Sequence, residues 1–166
     1  TYDEYYEVLK AFQDHGHDGA LALRWSGINS GSYLVAGFGA AGFYDDTAVA
    51  VPFLNIDGTV EFGPVMDGYR EYLKLMNQWY QEGLIYQDFM SLDSSTYPQN
   101  LSNGTFGIAV VDRGQFTATQ LALESADPGA DLVGCKDARQ NADDVLHIQY
   151  IDHHVSDGYS ITTACQ

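Results

Sequence analysis

Apolar positions recur along this chain at two periods, and the helical period is clearest in residues 67–89. Tyr69, Tyr72, Leu73, Met76, Trp79 and Tyr80 fall at three- and four-residue spacings, on one face of a helix. Asp67 stands where an N-cap carboxylate accepts an unpaired first-turn N–H. Gly83 stands where a left-handed residue ends a helix, so that Leu84 or Ile85 folds back on the last turn. A face of Trp, Tyr, Leu and Met needs a broad packing partner, and a sheet is the expected one. The stripe reads as core and not as a ligand platform.

Residues 1–16 carry a second helical pattern. Thr1 and Glu4 have capping-box spacing, Asp3 and Glu4 suit the positive helix end, and Tyr2, Tyr5, Tyr6, Leu9 and Phe12 share a face before Gly16. Residues 20–25 form an apolar run ending in Trp25-Ser26-Gly27, the pattern of a buried strand that opens into a loop. Residues 32–43 begin as a helix, but Gly37, Gly39 and Gly42 predict close packing or an early stop.

Residues 49–63 predict a hairpin around a type I′ turn at Asp57-Gly58, with Pro52 confining its strand to an edge. After residues 89–99, a polar linker or short helix, the run 104–111 has the strongest strand signal. Its Ile108-Ala109-Val110-Val111 core is expected to be buried on both faces. Residues 115–125 read as a helix, Asp127-Pro128-Gly129 as a turn, 131–135 as a short strand and 136–144 as a charged loop. Residues 145–151 and 158–164 read as further strands. Strands alternating with helices predict an α/β fold, a layered sheet with helices on both faces, and the hairpin is its antiparallel exception.

Composition narrows this picture. At 166 residues, 45% of them apolar and 13% aromatic, residues 1–166 fit one domain with a packed core; a chain of this size buries about 70% of its unfolded surface. No apolar run reaches the length of a membrane-spanning helix. The absence of an initiator Met or signal peptide reads as a mature protein or an excised domain. Seven basic residues against 23 acidic ones give a net charge of −16. That balance excludes a nucleic-acid footprint, opposes an anionic membrane surface, and fits a soluble domain handling neutral or cationic ligands. Cys135 and Cys165 are too few for a disulfide framework; two separate buried thiols are the favoured reading, with a single bridge as the alternative.

Several motifs suggest chemistry that their context does not support. Residues 37–42 spell G-x-G-x-x-G, but they follow a helical stretch instead of joining a strand to a helix, so no dinucleotide site is expected. His15 and His17 beside Asp14 and Asp18, and His153 and His154 beside Asp152 and Asp157, lack metal-ligand spacing and read as solvated loops. No metal or other cofactor is expected. No G-x-S-x-G nucleophile motif occurs. Asp45-Asp46 and Asp143-Asp144 would serve as acid and base only if the fold faced two carboxylates across a cleft. Asn100-Leu101-Ser102 and Asn103-Gly104-Thr105 spell glycosylation sequons, but Asn103-Gly104 is better read as a turn entering the strand.

Binding groups remain. In open α/β sheets ligands sit beyond the carboxyl ends of the strands. Trp25 ends one predicted strand, and Asp112, Arg113 and Gln115 follow the strongest one. An aromatic face with planar polar groups suits the C–H surface and vicinal hydroxyls of a sugar ring. Against this stand a core role for Trp25 and a surface ion pair between Arg113 and Asp112.

Four stretches also carry a resemblance: TYDEYYEVLKAFQDHG, EYLKLMNQWYQEGLIYQDF, NGTFGIAVVDRG and SDGYSITTACQ. In this order they resemble extracellular solute-binding proteins of the carbohydrate type, the capturing subunits of bacterial ABC importers. The resemblance spans most of the chain, and its weight lies in the series of stretches. It implies one lobe, the second, of a periplasmic-binding-protein-like (type II) fold, monomeric, with its partner lobe absent. It implies capture of a carbohydrate, an oligosaccharide first, with no enzymatic activity, and delivery to a membrane permease. The implied location is the extracellular face of the envelope through a lipid-anchored parent, or the periplasm. It also adds Tyr159 as a stacking residue, in an Asp157-Gly158-Tyr159 sequence where such proteins often carry Gly-Gly-Trp. The rival readings are a carbohydrate-active enzyme domain, binding of a peptide or another small solute, and a structural interaction module.

Overall fold

The fold is described from a computed structural model for residues 1–23, 32–40, 53–111, 114–144 and 146. Its driest stretch is 20–23, where Ala20, Leu21, Ala22 and Leu23 are all at most 1% exposed. Backbone groups withdrawn from water must be paired, and here they are paired on both sides. On one side Gly19 N–H donates to Gly83 O at 2.8 Å, Leu21 N–H to Leu84 O at 2.9 Å, and Tyr86 N–H to Leu21 O at 3.0 Å. On the other, Ala22 N–H donates to Ile108 O at 2.9 Å. The N–H groups of Gly107 and Ile108 both donate to Ala20 O at 2.9 Å. Leu21 thus forms parallel bridges with Ile85 and with Ile108. The spatial order is 84–86, then 20–22, then 106–108, joined through single bridges at Leu21; of the predicted strand at 20–25, residues 20–23 are described and take the middle position without forming a longer ladder.

The core divides into two clusters, and Ala20, Leu21, Leu23, Leu84 and Ile85 all belong to the larger one while Ala22 belongs to the other. Leu21, Leu23 and Ile85 join a cluster with Tyr2 and Leu9 of α1 (Tyr2–Asp14), Leu34 and Val35 of α2 (Ser32–Val35), and Tyr69, Tyr72, Met76 and Trp79 of α3 (Asp67–Gln81). Ala22 points the other way, into a cluster with Leu92, Phe106, and Tyr97 and Leu101 of α4 (Thr96–Ser102). Helices therefore cover both faces, an α/β-like arrangement. The paired donation of Gly107 and Ile108 to one carbonyl is a β-bulge. It lets Phe106 and Ala109 face the second cluster while Ile108 faces the first. At the bulge, a Cβ on Gly107 would lie 2.6 Å from the Phe12 ring of α1.

The helices form largely as their caps dictate. Thr1 Oγ1 accepts from Glu4 N–H at 3.3 Å, and the Glu4 side chain completes the capping box. At the end of α3, Gly83 has φ +74°, Gly83 N–H donates to Tyr80 O at 3.1 Å, and Leu84 N–H to Trp79 O at 2.9 Å. This Schellman closure turns the chain straight into the buried Leu84 and Ile85. The start of α3 differs from expectation. Met66 is the N-cap and Asp67 the first helical residue, with no side-chain cap bond. The 3₁₀ turn Gly63–Val65 feeds directly into the helix, and Gly68 rests against the Phe38 carbonyl. Asp67 is left near the positive helix end, where its charge is still favourable.

The hairpin β1 (Phe53–Ile56) and β2 (Thr59–Phe62) forms in the register Phe53 to Phe62. Asp57 at φ +50° and Gly58 at φ +84° make the expected turn. The helix predicted over 32–43 stops early. After α2 comes a 3₁₀ turn, Ala36–Phe38, closed by left-handed Gly39, while Gly37 lies against the Tyr2 hydroxyl and the Ala138 carbonyl. Residues 89–99 resolve into a 3₁₀ turn, Phe89–Ser91, and the start of α4. The helix predicted over 115–125 is α5 (Phe116–Ala126).

Three expectations are corrected. Residues 108–111 are half-buried and not buried on both faces; among the described residues the bridge of this segment is to Leu21. Residues 131–135 form no ladder. Gln120 of α5 holds this segment instead, donating to Ala130 O at 3.0 Å and accepting from Leu132 N–H at 2.7 Å. Val133 is 78% exposed there, so burial gives the run no reason to pair. Cys135, expected to be buried, is an exposed thiol 3.2 Å from Tyr5 Oη. Cys165, the predicted strand at 158–164, and all of 145–151 except Leu146 lie outside the described residues.

Gly19 and Gly39 separate conformational from steric cost. Their φ values are +69° and +65°, but a Cβ on Gly19 would lie 2.7 Å from Tyr86 Cα, whereas one on Gly39 meets nothing within 4 Å. In urea unfolding, Gly39→Ala is expected to cost about 1–2 kcal/mol, and Gly19→Ala clearly more. Equal costs would contradict the close approach of 19 to 86.

Candidate functional site

Parallel bridges bring the carboxyl ends of 20–23, 84–86 and 106–111 to one side of this three-segment array. The described chain reaches this edge at Leu23, at Tyr86 and at Val111, and resumes at Gly114. Of the five residues expected to bind ligand, Trp25, Asp112, Arg113 and Tyr159 lie outside the described residues. Gln115 is described. It is the N-cap of α5, exposed, and its carbonyl accepts from Thr119 N–H at 2.9 Å. Along the sequence Trp25 comes two residues after Leu23, and Asp112 and Arg113 follow Val111 directly.

The edge has a constituent that the sequence reading missed. Tyr97 of α4 is 3% exposed, and its hydroxyl donates to Val110 O and accepts from Val110 N–H, both at 2.9 Å. Its ring is fixed against Phe106, with centroids 5.6 Å apart. Asp93 anchors the start of α4. Its Oδ1 accepts from Thr96 N–H at 2.7 Å and from Ser95 N–H at 2.9 Å, and also from both hydroxyls. In return, Asp93 N–H donates to Thr96 Oγ1 at 3.0 Å. This reciprocal cap was legible as Asp93-Ser94-Ser95-Thr96 just before Tyr97 and Leu101, four residues apart on one face. The bonds from Thr96 N–H, then from Ser95, hold the Asp93 carboxyl well below the usual carboxylate range.

Elsewhere the polar groups are occupied locally. Asp14, His15, His17 and Asp18 are exposed, with His15 Nδ1 2.7 Å from Ala11 O. Among the described residues no three His, Cys, Asp or Glu side chains group to hold a metal ion. Asp144 accepts from Asn141 N–H at 2.7 Å; Asp45 and Asp46, and His153 and His154, lie outside the described residues. Within the G-x-G-x-x-G run, Gly37 sits inside a 3₁₀ turn and Gly39 ends it, so the described part has no strand-to-helix phosphate cradle. Asn103-Gly104 is the expected turn, with Gly104 at φ +71° and Thr105 N–H donating to Asn100 O at 3.0 Å. Burial raises the Tyr2 and Tyr5 hydroxyls far above their ordinary value, which marks them as neutral structural groups.

The chain is similar to Lipoprotein LipO of Bacillus subtilis (strain 168), at 30% identity over 150 residues, covering 81% of this chain. It spans 28% of the length of that relative. No protein-family model matches the chain. No solved structure matches it. Among the described residues no helix is long and apolar enough to cross a membrane.

A depressed carboxylate contributes stability that is present above its unfolded pKa, about 3.9, and is lost as pH falls through the lower folded value. Wild type is therefore expected to melt above Asp93→Asn at pH 6, with the gap narrowing progressively below about pH 4. A gap that is constant down to pH 2.5 would contradict the charged cap.

Proposed function

We propose that this chain is one lobe of a lipid-anchored solute-binding protein that captures a carbohydrate, an oligosaccharide first, for an ABC importer. The observation that carries the reading is the parallel arrangement of 20–22 with 84–86 and 106–108, whose carboxyl ends share one edge. Such an edge is the usual ligand position of open α/β sheets. Helices on both faces support a periplasmic-binding-protein-like (type II) lobe, and the similarity to a lipoprotein supports attachment at the outer face of the envelope.

In this reading Trp25 and Tyr159 stack on the C–H face of a sugar, while Asp112, Arg113 and Gln115 bond its hydroxyls. The ligand closes between this lobe and a second one, and the closed form engages the permease. No bond of the solute is made or broken. The net charge of −16 fits a neutral solute better than an anionic one.

Thermal unfolding of the full-length protein against a panel of mono- and oligosaccharides tests this. A saccharide at 100 times its dissociation constant should stabilise it by about 2.7 kcal/mol. Trp25→Ala and Arg113→Ala should abolish the shift, and residues 1–166 alone should show little of it. Stabilisation by peptides and by no saccharide would move the ligand class. A full shift in residues 1–166 alone would contradict a shared cleft, and saccharide turnover that is lost on replacing acidic residues would support an enzyme instead.

A further inference from the structure

The pairing between 20–22 and 107–108 does not continue to Val110 N–H. In a parallel pair, alternate residues of one segment bond to its neighbour, so Val110 follows Ile108 as the next to pair. Ile108 uses both of its backbone groups on Ala20 and Ala22. Val110 N–H instead donates to the Tyr97 hydroxyl, and that hydroxyl donates to Val110 O. We infer that Tyr97 is a positioning residue for the ligand-binding edge: its hydroxyl takes the place of a strand acceptor for the Val110 N–H and sets the path of the chain at Val110 and Val111, ahead of Gly114 and Gln115. The ligand part of this inference rests on the carbohydrate-capture reading; the positioning part does not.

The hydroxyl is held from three directions. The Asp93–Thr96 cap fixes the first turn of α4, and Tyr97 N–H donates to Asp93 O at 3.1 Å. The ring lies against Phe106 of the same outer segment. With the side chain 3% exposed, water does not readily replace the hydroxyl. A hydroxyl both donates and accepts, so one atom satisfies an N–H and a C=O that otherwise need two partners. Phenylalanine keeps the ring and leaves both Val110 groups without that partner.

Amide hydrogen exchange and saccharide affinity in the full-length protein, for Tyr97→Phe and Leu101→Ala, test the inference. Leu101 belongs to the same helix and cluster and serves as the destabilising control. In Tyr97→Phe, exchange at Val110 is expected to accelerate at least tenfold beyond the control at matched global stability, with faster exchange also at Gly114 and Gln115. Affinity for the stabilising saccharide is expected to fall at least tenfold, against less than threefold in Leu101→Ala. Unchanged exchange at Val110, acceleration confined to Val110, or equal affinity losses in the two variants would overturn the positioning role. If the wild type binds no saccharide, the capture reading fails separately, and exchange at Gly114 and Gln115 still decides the role of Tyr97.

Discussion

The backbone of residues 20–22 is the constraint on which the rest of this fold depends. These residues are almost completely withdrawn from water, so their N–H and C=O groups must find protein partners or cost stability. Ala20 O, Leu21 N–H, Leu21 O and Ala22 N–H find them on two sides, in 84–86 and in 107–108. Several features farther away follow from that need. Gly83 turns the end of α3 so that Leu84 and Tyr86 arrive in register, and Gly19 permits the close approach to Tyr86. The bulge at Gly107 and Ile108 lets the outer segment serve both apolar clusters.

The same pairing gives the three segments one direction. Parallel segments put their carboxyl ends on one side, here at Leu23, Tyr86 and Val111. Antiparallel pairing would have scattered those residues over opposite edges. The Tyr97 hydroxyl, held by α4, then takes both backbone groups of Val110 just before Asp112 and Arg113 in the sequence. Scaffold and edge are therefore linked through one side chain anchored by Asp93.

Periodicity and caps made much of this legible in the sequence. The stripe from Tyr69 to Trp79, the Thr1–Glu4 box, Gly83, Asp57-Gly58 and Asn103-Gly104 act within a few residues of themselves, and the structure agrees with each except at Leu73, which is exposed while Tyr69, Tyr72, Met76 and Trp79 are buried. Failures came where tertiary context decides. Residues 131–135 have strand composition, but Gln120 holds them along α5 with Val133 in water. Asp67 looked like a cap, but a turn at Gly63–Val65 moves the boundary to Met66. Tyr97 was hidden because it acts on a backbone 13 residues away, which no local pattern records. Of the predicted binding set, Gln115 alone is described, exposed at the start of α5.

Mapping amide chemical-shift changes in the isotopically labelled full-length protein, with whichever saccharide stabilises it, tests the central claim most directly. The largest changes are expected at the carboxyl-end edge, at Leu23, Val111, Gly114 and Gln115. Changes concentrated at the opposite edge, at Gly19, Gly83 and Thr105, would contradict it.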